Sequence, residues 1–324
     1  MFVLVTGGAG YIGSHTVRRL LEKNHEVVVL DNLSRGHIES VPKNVHFEKT
    51  DLTDEHSVKL VFDKYKFDAV IHFAAFAYVS ESVENPELYY RNNVQGSFNL
   101  IKIVKDNKIN KFVFSSTCSI YGNPLNIPIS ENEPSAPINP YAKTKLNIEN
   151  ILSDFYDAYG LKYVSLRYFN AAGDSDDGLI GESHEPEPHL IPLVLYAALG
   201  KRDKIKIYGD DYPTKDGTCI RDYIHVSDLA DAHIKALEYL NDNGKPDIFN
   251  LGTGEGYSVK EIIEVSRNIT VINIKSEIAG RRPGDPAVLV AENNKANKIL
   301  GWKPEYDLSK IIGTAWNWHK DQKY

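Results

Sequence analysis

Along the first half of the chain, short apolar runs alternate with stretches whose apolar positions recur every three or four residues. The runs at 2–5, 26–30, 45–47, 69–73, 111–115 and 163–167 read as strands. Several have no polar face, as strands of a parallel sheet covered on both sides require. Ile12, Thr16, Val17, Leu20 and Leu21 make one helical stripe. Ile148, Ile151, Leu152, Phe155 and Tyr159 make another, which Gly160 ends at a C′ position. Strand–helix alternation with right-handed crossovers predicts an α/β fold, a doubly wound parallel sheet of Rossmann type.

The second half is less regular and predicts a smaller mixed α/β lobe. Residues 174–189 read as a loop rich in proline, glycine and acids. Residues 221–226 read as a strand, 228–240 as a helix and 248–251 as a strand, and Ser258-Val259-Lys260-Glu261 is a capping box. The division expected is 1–170 and 171–324, with the chain crossing between lobes more than once. No internal repeat or low-complexity tract interrupts it.

Composition narrows the classes of partner. The 324 residues carry 37 Lys plus Arg against 44 Asp plus Glu, a net charge of −7. No bulk field favours nucleic acid or an anionic membrane, so neither is expected as a partner. Cys118 and Cys219 are the two cysteines and no CxxC occurs, which fits a reducing, cytoplasmic setting. The apolar start is too short for a signal-peptide core, and the longest apolar stretch, 190–199, is half a membrane span.

The first strand runs directly into Thr6-Gly7-Gly8-Ala9-Gly10-Tyr11-Ile12-Gly13 and then into the first helical stripe. Glycines permit the sharp turn and the close approach of a pyrophosphate to the helix N-terminus, and Gly13 lets helix and strand pack. Asp31 ends the second strand, where a carboxylate accepts from a ribose 2′-OH and repels a 2′-phosphate, so the cofactor expected is NAD. Arg35 is a contrary signal, since a nearby Arg accommodates a 2′-phosphate. After the third strand, Asp51-Leu52 either contacts adenine or starts a turn. Phe73-Ala74-Ala75 ends the fourth strand and is small enough to let a cofactor pass, although sheet packing explains it nearly as well.

Asn139-Pro140-Tyr141-Ala142-Lys143-Thr144-Lys145 opens the helix carrying the Ile148 stripe, with Asn139 as N-cap and Pro140 at N1. Tyr141 and Lys145 stand at i and i+4 on one face. A phenol near pH 10 serves as a base at neutral pH only if its anion is stabilised, and an ammonium beside it, a cationic nicotinamide ring and a hydroxyl donor would do so. Ser115-Ser116-Thr117, at the C-terminal edge of the fifth strand, supplies hydroxyls.

With these motifs the chain resembles the extended short-chain dehydrogenases/reductases and, within them, the UDP-sugar 4-epimerases. The resemblance runs through VTGGAGYIGSH, LDNLS at 30–34, HFAA at 72–75, FSST at 114–117, PYAKTK, LRYFNAAG at 166–173, DGTCIRDYIHVSDLADAH at 216–233, FNLGTG at 249–254 and RRPGDP at 281–286. It implies inversion at C4 of UDP-glucose/UDP-galactose through a 4-keto sugar, with hydride lent to tightly held NAD and returned. Tyr141 would be the base and acid, Lys145 would hold the nicotinamide ribose, and Thr117 would bond the 4-oxygen. The cofactor set would take in Gly7, Gly10, Tyr11, Ile12, Gly13, Asp31, Asn32, Asp51, Leu52, Phe73, Ala74, Ala75, Asn92 and Tyr168. The sugar nucleotide would meet Asn170, His189, Tyr208, Arg221, Arg282 and Asp285, the two arginines on the diphosphate. A homodimer is the usual assembly of that family.

Two positions depart from it. Ala77 stands where some members carry a Lys, and Leu289 where relatives carry Tyr or a small residue that sets access for 2-acetamido sugars. UDP-GlcNAc and UDP-pentoses therefore stay open as substrates. A nucleotide-sugar dehydratase is disfavoured because Thr117-Cys118-Ser119 offers no carboxylate, and a non-catalytic NAD-binding regulator has no need of the Tyr–Lys pair. Residues 182–189 hold Glu and His, but their prolines forbid helical ligand spacing, so they read as a substrate loop with no metal. Residues 174–178 lack the downstream Glu of a calcium loop, and Cys118 reads as a buried structural thiol.

Overall fold

The structure, a computed structural model, describes residues 1–282 and 285–324. Its first lobe builds in the order β1 (Phe2–Thr6), α1 (Tyr11–Glu22), β2 (Glu26–Asp31), β3 (His46–Lys49), α2 (Glu55–Lys64), β4 (Ala69–His72), α3 (Val79–Glu84), α4 (Pro86–Tyr89), α5 (Gly96–Asp106), β5 (Lys111–Thr117), α6 (Pro140–Tyr159) and β6 (Lys162–Tyr168). A π-helical segment, Tyr90–Gln95, joins α4 to α5. The remaining elements are β7 (Asn170–Ala172), α7 (Leu190–Ala198), β8 (Ile205–Tyr208), β9 (Ile220–Arg221), β10 (Tyr223–His225), α8 (Val226–Asn241), β11 (Asp247–Leu251), β12 (Tyr257–Ser258), α9 (Val259–Thr270), β13 (Ser276–Ala279), β14 (Val288–Leu289), α10 (Asn294–Leu300) and α11 (Leu308–Lys320).

Seven strands form one parallel sheet in the order β11-β6-β5-β4-β1-β2-β3. Strand order reverses between β1 and β4, and in such a sheet ligands bind outside the carboxyl ends at that switch. Alternation along each strand feeds two separate cores. Val3, Val5, Val27, Val29 and Ile71 face one side with α1 and α8, which pack on each other. Leu4, Val28, Leu30, Val70 and Phe112 face the other with α2, α5 and α6. Both faces are thus apolar, as the unbroken hydrophobic runs require. Strand β11 enters this sheet from the later part of the chain, beside β6.

A third core joins α7, α9 and α11 to β8, and smaller sheets pair β13 with β8 and β9 with both β12 and β14. The expected strand 221–226 is two short strands instead. Asp222 separates them because its buried carboxylate accepts from the amides of Thr253, Gly254 and Ala291 at 2.8, 3.0 and 3.1 Å. Val226 already belongs to α8, which His225 caps by accepting from Ser227 N. Among the described residues no helix is long and apolar enough to cross a membrane.

Candidate active site

The cleft at the carboxyl edge of the sheet starts from the first glycine turn. Gly7 sits at φ +72°, and a Cβ there would come 2.5 Å from Ala74 N. A Cβ on Gly13 would come 2.2 Å from the carbonyl oxygen of Gly7, so both must be glycine for turn, helix and β4 to close together. The first helical hydrogen bond runs from Ser14 N to Gly10 O at 2.9 Å. The amides of Tyr11, Ile12 and Gly13 precede it, and these residues line the cleft. Donors at a helix N-terminus with its partial positive charge suit a pyrophosphate.

Asp31 lies at the same edge, buried, accepting from Ala9 N at 3.1 Å and Leu33 N at 2.8 Å. Burial raises its pKa and those two amides oppose the rise. Arg35, the contrary signal for NADP, is held at 2.6 Å by Glu81 and lies over the rings of Phe76 and Tyr78. Asn32, Leu52, Phe73, Ala74, Ala75, Asn92 and Tyr168 also line the cleft. Asp51 does not line it. Its carboxylate accepts from Asn32 Nδ2 at 2.9 Å and from Thr53 N at 2.8 Å, which ties it to Asn32 of the lining. This donor set fits a dinucleotide: amides for the diphosphate, a carboxylate for a ribose and a small-residue wall at 73–75.

Across the cleft stands α6. Asn139 caps it by accepting from Ala142 N at 2.9 Å, Pro140 takes the first turn and Gly160 ends it at φ 73°. The cap sets the phase that turns Tyr141 and Lys145 toward β5, and both line the cleft with Thr117. All three are nearly fully buried, at 9%, 3% and 6% exposure. Lys145 Nζ donates to Ser115 O at 2.8 Å and lies 5.0 Å from the Phe114 ring centre. Burial lowers the Lys145 pKa to about 7, against the pull of Glu149. Burial pushes the Tyr141 phenol up to about 12, and a hydrogen bond with Thr117 works the other way. The net shift of the phenol is upward, so ionising it near pH 7 takes stabilisation beyond that hydrogen bond.

Sequence reasoning missed the support behind this pair. Glu149, one turn past Lys145, is buried with Arg167 of β6, whose Nε donates to it at 3.0 Å. Ser116 donates to the same carboxylate at 2.6 Å, and Arg167 lies against the Tyr121 ring. The signal was present in the unbroken i, i+4 series Tyr141, Lys145, Glu149. Asn93 was missed as well: it bonds Phe76 N and O and Thr144 Oγ1, clasping the strip that follows β4 to α6.

The residues expected to meet a sugar nucleotide divide into two groups. Asn170 and His189 line the cleft that holds Tyr141. Tyr208, Arg221, Arg282 and Asp285 are not part of that lining and pair among themselves. Arg221 Nη2 is 3.3 Å from Asp285 Oδ1, and the Arg282 guanidinium lies 4.0 Å from the Tyr208 ring centre. Strand pairing sets Leu289 beside Arg221, and Leu289 packs on Cys118 and Phe169, which ties this patch to the residue after Thr117. Of the RRPGDP block, positions 283 and 284 lie outside the described residues.

The 174–189 loop folds against the same cleft. His189 Nδ1 lies 2.7 Å from Glu182 Oε1 and 2.9 Å from Glu187 Oε1, and His184 Nδ1 lies 3.3 and 3.4 Å from the same two carboxylates. The prolines do forbid helical ligand spacing, but the loop converges these side chains without it. The carboxylates raise His184 to about 9 and His189 to about 10, against desolvation, and the imidazoles hold Glu182 well below the usual carboxylate range.

Residues 3–252 match the NAD dependent epimerase/dehydratase family. A UDP-glucose 4-epimerase of Halalkalibacterium halodurans is 53% identical over 325 residues, covering 100% of this chain and 97% of that protein. The crystal structure of UDP-glucose 4-epimerase from Brucella ovis in complex with NAD is 48% identical with a TM-score of 0.95, covering 97% of each chain. The Bifidobacterium longum enzyme in complex with NAD+ and UDP is 39% identical with a TM-score of 0.94, covering 99% of each. With a parallel sheet, a glycine turn at its switch point and a Tyr–Lys face across the cleft, the chain belongs to the NAD dependent epimerase/dehydratase family.

Proposed function

We propose that the protein inverts C4 of a UDP-sugar, interconverting UDP-glucose and UDP-galactose, with NAD as resident cofactor. NAD, when bound, would supply the hydride acceptor and donor for C4, with no net redox over a turnover. Tyr141 removes the proton from the sugar 4-OH and gives it back, while Thr117 bonds the 4-oxygen. Lys145 holds the nicotinamide ribose and supplies positive charge beside the phenol. The Gly7–Gly13 turn takes the pyrophosphate and Asp31 takes the adenosine ribose. Leu52, Phe73, Ala74, Ala75, Asn92 and Tyr168 form the cofactor walls. Arg221 and Arg282 clasp the sugar-nucleotide diphosphate, Asp285 the uridine ribose, and Asn170, His189 and Tyr208 flank the sugar.

One observation carries this reading: a buried phenol, ammonium and hydroxyl share a cleft with the open first-turn amides of α1. Incubation with UDP-galactose followed by NMR tests it. UDP-glucose is expected as product. A 4-keto-6-deoxy sugar would indicate a dehydratase, and unchanged substrate a non-catalytic NAD binder. A second reading, action on UDP-GlcNAc, draws support from Leu289, a residue of middling size beside Arg221.

In this reading residues 1–170 form the coenzyme lobe and 171–324 the sugar lobe. The protein works in the cytoplasm as a homodimer. Buried, unpaired Cys118 and Cys219 support a reducing compartment, and exposed Val83, Tyr90 and Phe98, on the stretch from α3 to α5, support self-association.

A further inference from the structure

The 174–189 loop brings together four side chains of which the proposed epimerisation uses only His189. Glu182, His184, Glu187 and His189 each offer one ligand atom, and these atoms all lie within 4.8 Å of one another. The four measured imidazole–carboxylate separations run from 2.7 to 3.4 Å. Ligands about 2.0–2.2 Å from a tetrahedral zinc ion stand about 3.3–3.6 Å apart. Two of the imidazole–carboxylate separations already match that spacing, and the other two need to open by about half an ångström to accept one.

Burial of the oxygen donors points the same way. The side chains of Glu182 and Glu187 are 4% and 3% exposed. A third carboxylate, Asp174, is buried beside them, with Oδ1 accepting from Glu182 N and Oδ2 without a partner. Two nitrogen and two oxygen donors are a ligand set that zinc accepts.

We propose that Glu182, His184, Glu187 and His189 form a tetrahedral Zn2+ site that pins the 174–189 loop against the coenzyme cleft. Four protein ligands close the coordination sphere, so the ion is structural and offers no open position to a substrate. Binding exchanges the imidazole protons for the ion, leaving two neutral imidazoles and two carboxylates around one Zn2+. The loop is already anchored by Trp318 Nε1 donating to Glu182 O at 2.9 Å and by Tyr11 OH donating to Gly173 O. The ion would add the tie at its far end, where His189 leads into α7.

The test uses tag-free, full-length protein loaded with Zn2+, dialysed against metal-free buffer and analysed for metal, with Co2+ as a spectroscopic substitute. One zinc per chain and the intense visible bands of four-coordinate Co2+ are expected, together with a rise in Tm on adding Zn2+. His184→Asn and Glu187→Gln should each weaken zinc binding by more than the about 10–100-fold that loss of an outer-shell partner costs, and should abolish the Tm rise. Substoichiometric zinc in the unaltered protein, weak six-coordinate Co2+ bands, or stoichiometric zinc retained by the double variant would each overturn the assignment. Should the variants fail to fold, the Co2+ spectrum of the unaltered protein decides by itself.

Discussion

Replacing Lys145 by Met keeps the length of the side chain and removes its charge, which isolates what that charge does for Tyr141. Burial holds the phenol at about 12. Ionising it near pH 7 requires about 7 kcal/mol of preferential phenolate stabilisation. Side chains one helical turn apart approach within about 6 Å. An ammonium at that distance, with an effective dielectric constant of about 20, contributes about 3 kcal/mol. Lys145 therefore supplies less than half of the requirement, and the cationic ring of bound NAD must supply most of the rest. The lysine itself is only marginally charged, since burial brings it to about 7. Glu149 behind it keeps the ammonium from being lost altogether.

A base must be deprotonated to act, so the acid limb of kcat reports the phenol, and a raised pKa moves that limb to higher pH. Lys145→Met should move the limb up by about 2 pH units, because about 1.4 kcal/mol corresponds to one unit. Turnover near pH 7 should then fall about 100-fold, with the deficit narrowing toward pH 9. The assay is the initial rate of UDP-galactose to UDP-glucose conversion, at saturating substrate and NAD, across that pH range. Tyr141→Phe, run in parallel, should be slow at every pH. A Lys145→Met variant that loses rate by the same factor throughout, with the limb unmoved, would refute the electrostatic argument and leave the lysine a ribose-holding role alone.

Asp31→Ala should weaken NAD binding by about 10–100-fold, the range for losing a hydrogen bond to a charged acceptor, and titration of cofactor fluorescence would read it. Unchanged affinity would remove Asp31 from the ribose. Glu149→Gln leaves Arg167 buried without its charge partner and should cost about 3–5 kcal/mol of stability, measured by urea unfolding; a loss under about 1 kcal/mol would mean that water reaches the pair. Leu289→Gly should raise kcat/KM for UDP-GlcNAc relative to UDP-glucose, and an unaltered ratio would place the width of the sugar pocket elsewhere. Arg221→Met should raise Kd for UDP, measured calorimetrically, since the planar fork that grips phosphate is lost; an unchanged Kd would return Arg221 to its pairing with Asp285.

Features determined by neighbours in sequence were legible from the chain alone. The glycine turn is one, because strand, tight turn and helix start follow each other within the residues from Phe2 to Gly13. The cap at Asn139 and the stop at Gly160 are others, so the facing of Tyr141 and Lys145 could be derived before any contact was known. Asp222 was illegible for the opposite reason. A strand pattern continues through it, and the amides that pull its carboxylate inward come from Thr253, Gly254 and Ala291, distant in sequence. Asp51 was legible only as an alternative, because an acid after the third strand serves a turn as readily as an adenine, and Thr53, two residues on, bonds it.

The loop from 174 to 189 marks a different limit. Periodicity reports on elements whose side chains repeat at fixed angles, and proline-rich segments have no such repeat, so a failed helical spacing said nothing about convergence in space. What brings Glu182, His184, Glu187 and His189 together is a set of anchors supplied from elsewhere: Tyr11 at the start of α1, Thr314 and Trp318 on α11, and the terminal Tyr324, whose hydroxyl accepts from Gly181 N at 3.1 Å. Those anchors join the first helix of the coenzyme-binding half to the last helix of the chain. The loop between them therefore senses both lobes. Its His189 lines the cleft together with Tyr11 and Tyr141, so the packing that positions the loop also shapes the wall opposite the phenol.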